Sequence, residues 1–274
     1  MKKEFEANLK LWNELVDIHA KSKFYDLEAF KAGKTSLLPT EIEELGDVNG
    51  KTMLHLQCHF GMDSLSWARK GAIVTGIDFS DKAIIKAREL SKEIGVPATF
   101  IQSNVYNVPE VITDKFDIVF TSYGTLYWLD DLIGWAKVIN HCLKPGGMFY
   151  YIDGHPSSHM IDEKTTDMFK ISNPYFNNGK SFEWEVDGDY TDEDPNNPTI
   201  LENKIEYGWG HTISEIINPL IKTGLKIESI NEFPFGFHGF HPDLKKDEDG
   251  LWRFQTLKPE IPLTLSIKAI KPKT

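Results

Sequence analysis

Hydrophobic positions along the chain follow two alternating periods. Residues 4–21 set Phe5, Leu9, Trp12, Leu15, Val16 and His19 at helical spacing, the stripe of an amphipathic helix laid against a larger body. After a loop through residues 34–51, the apolar run 53–56 reads as a buried strand, and GMDSLSWARKG reads as a short helix beginning near Asp63 and ending at Gly71. AIVTGID is the next strand. Ser80 then caps a helix whose Ala83, Ile84, Ala87, Leu90 and Ile94 share one face, and Gly95 and Pro97 end it. The strand ATFIQS follows, then the strand FDIVFT at 116–121, a helix from 130, the turn KPGG and the strand MFYYID from 148.

Strands and helices in strict alternation predict a parallel sheet covered on both faces. Between residues 154 and 210 the pattern gives way to a polar stretch rich in Asn, Asp and Pro. It holds two alternating runs, SFEWEVDGDY and TILENKIEYGW, which read as a hairpin cap. The core resumes where Thr212 and Glu215 form a capping box for the helix ISEIINPLIKTG, which Pro219 is expected to kink or shorten. LKIESINEF and LTLSIKAI are joined by a loop, not a crossover helix, and are expected to pair antiparallel. The predicted architecture is α/β: a seven-stranded, mostly parallel sheet with an antiparallel last strand and helices on both faces. It divides into an N-terminal helical lid (1–45), a core (46–153 and 211–274) and a β-rich cap insertion (154–210).

Composition narrows the function. A chain of 274 residues, 41% of them hydrophobic, can bury a sizeable core. No run approaches the roughly 20 consecutive apolar residues of a membrane span, and the N-terminus lacks the pattern of a signal peptide, so a cytoplasmic protein is expected. Cys58 and Cys142 lie within apolar segments and read as reduced structural thiols; no metal-ligand spacing is present. A formal net charge of -11 opposes a phosphate backbone, so the expected partner is a small molecule and not nucleic acid or membrane. The chain is expected to be a monomer or homodimer.

The segment MLHLQCHFGMDSLSWARKGAIVTGIDFS carries the chemistry. A turn that grips pyrophosphate needs glycines at fixed offsets, and QCHFG supplies too few. A nucleoside-type cofactor without phosphate charge needs instead a close backbone approach and a carboxylate ending the next strand to hold ribose hydroxyls. Asp78 stands at that position.

These residues resemble the class I S-adenosylmethionine-dependent methyltransferases with a Rossmann-like sheet, strongly over roughly residues 50–153. MLHLQCHFG resembles the family's first motif, with His55 where an acid is common, Gln57 and His59 in place of two usual glycines, and Gly61 retained. The resemblance implies S-adenosyl-L-methionine as cofactor, with Cys58 and His59 offering backbone contacts. It assigns Asp78 in GIDFS to the ribose and Phe79 to the adenine face. In QSNVYNVP it assigns Asn104 and the Val105 N–H to the adenine edge; in FDIVFTSYGTLYWL it sets Ser122, Tyr123 and Gly124 beside the cofactor's amino-acid end. The landmark LKPGG is structural. The lid implied by the N-terminal helix brings Tyr25 and Trp12 to the cofactor.

A histidine in an apolar strand is more often a hydrogen-bonded core residue than a base, so His55 reads as structural. His155, His211 and Tyr127 flank the insertion and are the candidates for touching a substrate proton. Aromatic residues, 12% of the chain, would suit a cationic sulfonium by about 0.5–2 kcal/mol. The acidic run DGDYTDEDPNN reads as a solvated loop. Methyl transfer by in-line displacement would be carried mainly by proximity and water exclusion. Two alternatives stay open: a non-catalytic S-adenosylmethionine-binding module, and an NAD(P)-dependent dehydrogenase.

Overall fold

The computed structural model describes residues 2–163, 165, 170–177, 179–192, 197–256 and 260–273. The chain opens with α1 (Lys3–His19), α2 (Leu27–Lys31) and α3 (Pro39–Leu45). The alternating core follows as β1 (Thr52–Leu56), α4 (Met62–Arg69), β2 (Ile73–Asp78), α5 (Asp81–Ile94), β3 (Thr99–Gln102), α6 (Val108–Val111), β4 (Phe116–Ser122), α7 (Leu132–Cys142) and β5 (Leu143–Gly154). The insertion contributes β6 (Phe182–Glu185) and β7 (Ile205–Gly208), and the chain closes with α8 (Ile213–Lys222), β8 (Lys226–Phe233), β9 (Leu244–Lys246), β10 (Trp252–Phe254) and β11 (Thr264–Ile270).

The main sheet has seven strands in the order β3-β2-β1-β4-β5-β11-β8. β11 runs antiparallel to both neighbours, as expected for the closing strand. Both faces are covered, which is why the strands read as continuous apolar runs. Leu54, Val119, Phe149 and Tyr151 pack under α7 and α8 against Trp135, Ile139, Ile216 and Leu220. Their strand neighbours Met53, Ile118, Phe120, Tyr150 and Ile152 face the other way, onto Trp67, Leu37, Leu45 and Val48. Each fully buried side chain of this kind contributes about 1.5–3 kcal/mol. Ser80 caps α5 as predicted, its Oγ accepting from the Ala83 N–H at 3.0 Å. No helix among the described residues is long and apolar enough to cross a membrane.

Three local expectations need correction. The stretch 34–51 is not all loop, because α3 begins at Pro39 and the Glu41 carboxylate reaches back to the Leu38 N–H at 2.7 Å. A helix this short presents too few turns for a visible stripe. The KPGG turn is drawn into β5, at the cost of a register shift against β4 between Phe116 and Ile118. α8 continues past Pro219 to Lys222, with the proline ring buried where its packing offsets the lost N–H bond.

The two alternating runs of the insertion do form an antiparallel pair, β6 with β7. Its principal anchor is α1. The Asn8 side chain donates to Tyr207 O and accepts from Tyr207 N, both at 2.8 Å, standing in for a neighbouring strand. Glu14 accepts from the backbone N–H groups of Glu202 at 2.7 Å and Asn203 at 2.9 Å. Of the acidic run, residues 193–196 lie outside the described residues.

Glu41 is fully buried and also accepts from the Tyr123 hydroxyl at 2.8 Å. Burial, and then the charge of Asp63, push its carboxyl up to about 8. An unfolded Glu titrates at about 4.3. The folded chain therefore holds the extra proton between these values, and stability falls as pH rises through that window. Glu41→Gln should remove this slope: thermal unfolding is expected to shift upward by on the order of 5 °C at pH 8.5, for about 2 kcal/mol, and hardly at all at pH 4.5.

Candidate active site

The turn after β1 is built against its own side chains. Gln57 and His59 hold φ values of +56° and +49°, a left-handed conformation that costs on the order of 1–3 kcal/mol for residues carrying a Cβ. Neighbouring bonds enforce it. The Cys58 N–H donates to Ile77 O at 2.8 Å, and the His59 N–H donates to Asp78 Oδ2 at 2.8 Å. Gly61, at φ +82°, caps α4 and packs so closely that a Cβ would fall 2.7 Å from the Phe100 ring. The turn thus keeps the path of a glycine-rich loop with two side chains added. His55 lies beneath it, bonded to Ser64 Oγ at 2.8 Å and Ser122 Oγ at 3.3 Å, and burial lowers its ring to about 3, a structural role as expected.

A cavity opens at the C-terminal ends of β1 and β2, where open α/β sheets bind ligands. Gln57, Asp78, Phe79, Asn104, Val105, Trp128 and Leu129 wall it, and α1 covers it with Phe5 and Asn8. Asp78 is 8% exposed. Burial pushes its carboxyl up to about 6, against the pull of N–H donors from Ser80 and His59. Asn104 Oδ1 accepts from the Tyr106 N–H at 3.0 Å, so the adenine-edge candidate uses its oxygen as a cap. Gln57 Nε2 donates to Thr125 O at 2.9 Å, and Gln57 Oε1 is left buried without a partner. Thr125 is itself fixed by Asp153, which accepts from the Gly124 and Thr125 N–H groups at 2.6 and 2.9 Å. The enclosed space is about 40 Å³, against roughly 300–1,000 Å³ for small-molecule sites.

The other candidates are distributed differently. Cys58 is buried, its thiol pushed far up by burial, and its N–H is spent on the sheet. Ser122 lies under the turn, donating to Asp63 Oδ2 at 3.0 Å. Tyr123, at φ +39°, ends β4 and ties to Glu41. Tyr25 packs on Phe60 and bonds the Tyr190 hydroxyl. The proposed proton-handling side chains are engaged elsewhere: His155 with Glu232 and Ser157, His211 with Leu129 O, and Tyr127 with Glu206. All three lie around His159, whose ring stacks on Tyr127 at 6.2 Å and is lowered by burial and then by the neighbouring rings of His211 and His155.

Beside the cavity lies a cluster of packed aromatic rings. Trp12 packs edge-on to His59 at 5.3 Å and Trp128 at 5.2 Å; Tyr127 stacks with His159 at 6.2 Å; Tyr123 meets Phe237 at 4.5 Å. Tyr190 packs against His19 at 4.9 Å and bonds the Tyr25 hydroxyl. Sequence reasoning missed His159, Tyr190, Asp189 and the site role of His19. His19 carried a usable signal, a polar ring on the apolar face of a helix, which demands a buried partner.

Residues 54–149 match a family described as a methyltransferase domain. The ubiquinone biosynthesis O-methyltransferase of Photorhabdus laumondii is 30% identical over 134 residues, 47% of this chain and 55% of that protein. The chain thus spans about half the length of the curated relative it matches. An S-adenosylmethionine-dependent methyltransferase of Mesorhizobium loti superposes with a TM-score of 0.56 at 20% identity, over 88% of this chain and 99% of that one. A glycopeptide N-methyltransferase solved with S-adenosyl-L-methionine gives 0.54 at 13% identity, over 85% and 92%. The chain has the fold of the S-adenosylmethionine-dependent methyltransferases, and its residues 54–149 are similar to that methyltransferase-domain family.

Two ligand-free features generate a prediction. Asp78 must be ionised to accept from hydroxyl donors, so nucleoside affinity should fall as pH drops through about 6. Asp78→Asn should lose that pH dependence and weaken binding by about 1.5–3 kcal/mol, read by titration calorimetry between pH 5 and 8. Gln57→Gly should relieve the left-handed strain, leaving the protein at least as stable, while removing the unpartnered acceptor and weakening binding by about 1 kcal/mol.

Proposed function

We propose that the chain is an S-adenosylmethionine-dependent methyltransferase that methylates a hydroxyl group of a small, largely apolar molecule, acting in the cytoplasm as a monomer or homodimer. The observation that carries the cofactor assignment is the acceptor set in the cavity. A buried carboxylate at the end of β2 and an unpartnered amide oxygen at the end of β1 sit between the apolar walls Phe79, Val105 and Leu129. That set fits a nucleoside joined to an amino acid. Asp78 would take the ribose hydroxyls, Phe79 the adenine face, Asn104 and Val105 the adenine edge, and Gln57 Oε1 a donor of the amino-acid end. When bound, the cofactor supplies a methyl group already activated on a sulfonium.

The protein's own contribution is then placement and dryness. Trp128 lines the cavity with Trp12 and Tyr127 packed edge-on to it, and a cation beside such electron-rich rings gains about 0.5–2 kcal/mol. α1 and the insertion share so many bonds that lid (1–45) and cap (154–210) are read as closing together. The choice of oxygen rests on the relatives called O-methyltransferases, and the choice of an apolar body on the aromatic rings beside the cavity. The dehydrogenase reading is disfavoured because the Cys58 and His59 N–H groups, which a pyrophosphate would need, are already bonded to Ile77 O and Asp78.

Calorimetric titration of the full chain with S-adenosylmethionine, S-adenosylhomocysteine and NADH should give heat with the first two only. Transfer of a labelled methyl group to a panel of phenols, alcohols, amines and thiols should then label a hydroxyl. Binding of NADH alone would refute the cofactor assignment. Cofactor binding without transfer to any member of the panel would favour the non-catalytic module.

A further inference from the structure

Three segments distant in sequence meet at His19, near the end of α1. Its Nε2 lies 3.1 Å from Asp189 Oδ1 in the insertion, and its Nδ1 lies 2.9 Å from His59 Nε2 in the turn after β1. The side chains of His19 and Asp189 are 0% and 2% exposed. Asp189 also accepts from the Thr191 N–H at 3.1 Å and from the Thr191 hydroxyl. Burial alone would raise its carboxyl, but the bonds from His19 and Thr191 hold it below the usual carboxylate range.

The polarity of this chain follows from donor counting. An ionised carboxylate only accepts, so His19 Nε2 carries a proton. With the His19 ring neutral, its Nδ1 is bare and accepts from a proton on His59 Nε2. His59 Nδ1 is therefore also bare, and it makes no hydrogen bond among the described residues. The His59 ring is partly buried, with its edges and faces packed by Trp12, Tyr25 and Phe60. A carboxylate orienting one imidazole so that a nitrogen is presented as a base is the logic of catalytic triads, here extended by one ring. The backbone adds a second argument. At φ +49° glycine would sit without strain, so the backbone bears a cost for keeping a histidine here.

We propose that His59 Nδ1 receives the proton of the methyl acceptor's hydroxyl, with His19 and Asp189 as positioning residues that hold His59 in the required tautomer. This rests on the methyltransferase reading. In the step, the acceptor O–H bond breaks and its proton goes to His59 Nδ1. The oxygen's electron pair forms the new bond to the methyl carbon. The bond from that carbon to sulfur breaks with its pair staying on sulfur, so the sulfonium becomes a neutral thioether. His59 is left as an imidazolium, stabilised through His19 by Asp189, and returns its proton to solvent as product leaves. The sum is hydroxyl plus sulfonium giving methyl ether, thioether and one proton.

The titratable groups around the ring are His19 from α1, Tyr25 from the segment after it, Asp189 and Tyr190 from the insertion, and Asp78 from β2 at the main-chain N–H. Burial holds His59 well below its ordinary value, so its ring is neutral near pH 7.

His59→Gly keeps the backbone path and should fold normally, shown by an unchanged or higher melting temperature. With the hydroxyl acceptor identified in the panel, kcat at pH 7 should fall by about 100-fold or more, while cofactor affinity stays nearly constant. The deficit should shrink as pH approaches the acceptor's own pKa, and should be small for a nitrophenol that is already ionised. Independently of cofactor and acceptor, nitrogen-15 spectra of the histidine rings at pH 8 should show His59 protonated at Nε2 and bare at Nδ1. Asp189→Asn should blur that preference into a tautomer mixture. Transfer surviving His59→Gly at full rate, or a proton found on Nδ1, would overturn the proposal and leave the methyltransferase reading standing. Absence of transfer by the unaltered protein would overturn both, while the ring spectra would still report the tautomer.

Discussion

The hydrogen bond from the His59 N–H to the Asp78 carboxylate is the constraint on which the site depends. It closes the turn after β1 onto the end of β2, so the backbone accepts two left-handed residues where L side chains are strained. With the turn held there, Gln57 is aimed across to Thr125, and Thr125 is anchored by Asp153 at the end of β5. Three short polar links thus join the C-terminal ends of neighbouring parallel strands. These are the ends where an open α/β sheet has unspent backbone and room for a ligand.

The same bond sets the electrostatics. Asp78 is desolvated enough to titrate at about 6, yet the N–H donors that hold it keep it from climbing further. Glu41 receives as many donors, yet burial and the charge of Asp63 set it higher, at about 8. Two buried carboxyls are therefore tuned apart by burial and by a neighbouring charge. The one facing the cavity is the carboxylate near neutral pH, and the one under Tyr123 is the acid.

Closure of the site comes from outside the sheet. α1 forms side-chain bonds to the backbone of the insertion, through Asn8 and Glu14, and reaches the core through Asn13 and His19. The insertion in turn sends Asp189 and Tyr190 back to the N-terminal segment. A small cavity beneath such a cover is a dry place once filled, and dryness strengthens every charge interaction inside it.

What the sequence determined by itself was the framework: strands and helices in alternation, the reversed last strand, the Ser80 cap, and Asp78 at the end of the second strand. These are local or periodic properties, set by side-chain spacing of two or 3.6 residues and by caps that act within one turn. The helix α3 escaped because a few turns leave little periodicity, and the strand start at Leu143 because pairing with β4 overrode a turn-forming KPGG. The chemistry of individual side chains was decided only by tertiary contact. His155 and His211 looked free and are engaged by Glu232 and Leu129 O; His19 looked like one more residue of an amphipathic stripe and joins Asp189 to His59. Whether a histidine's nitrogen is spent or bare depends on donors brought from 40 and 170 residues away, and no spacing rule along the chain records which distant groups will meet.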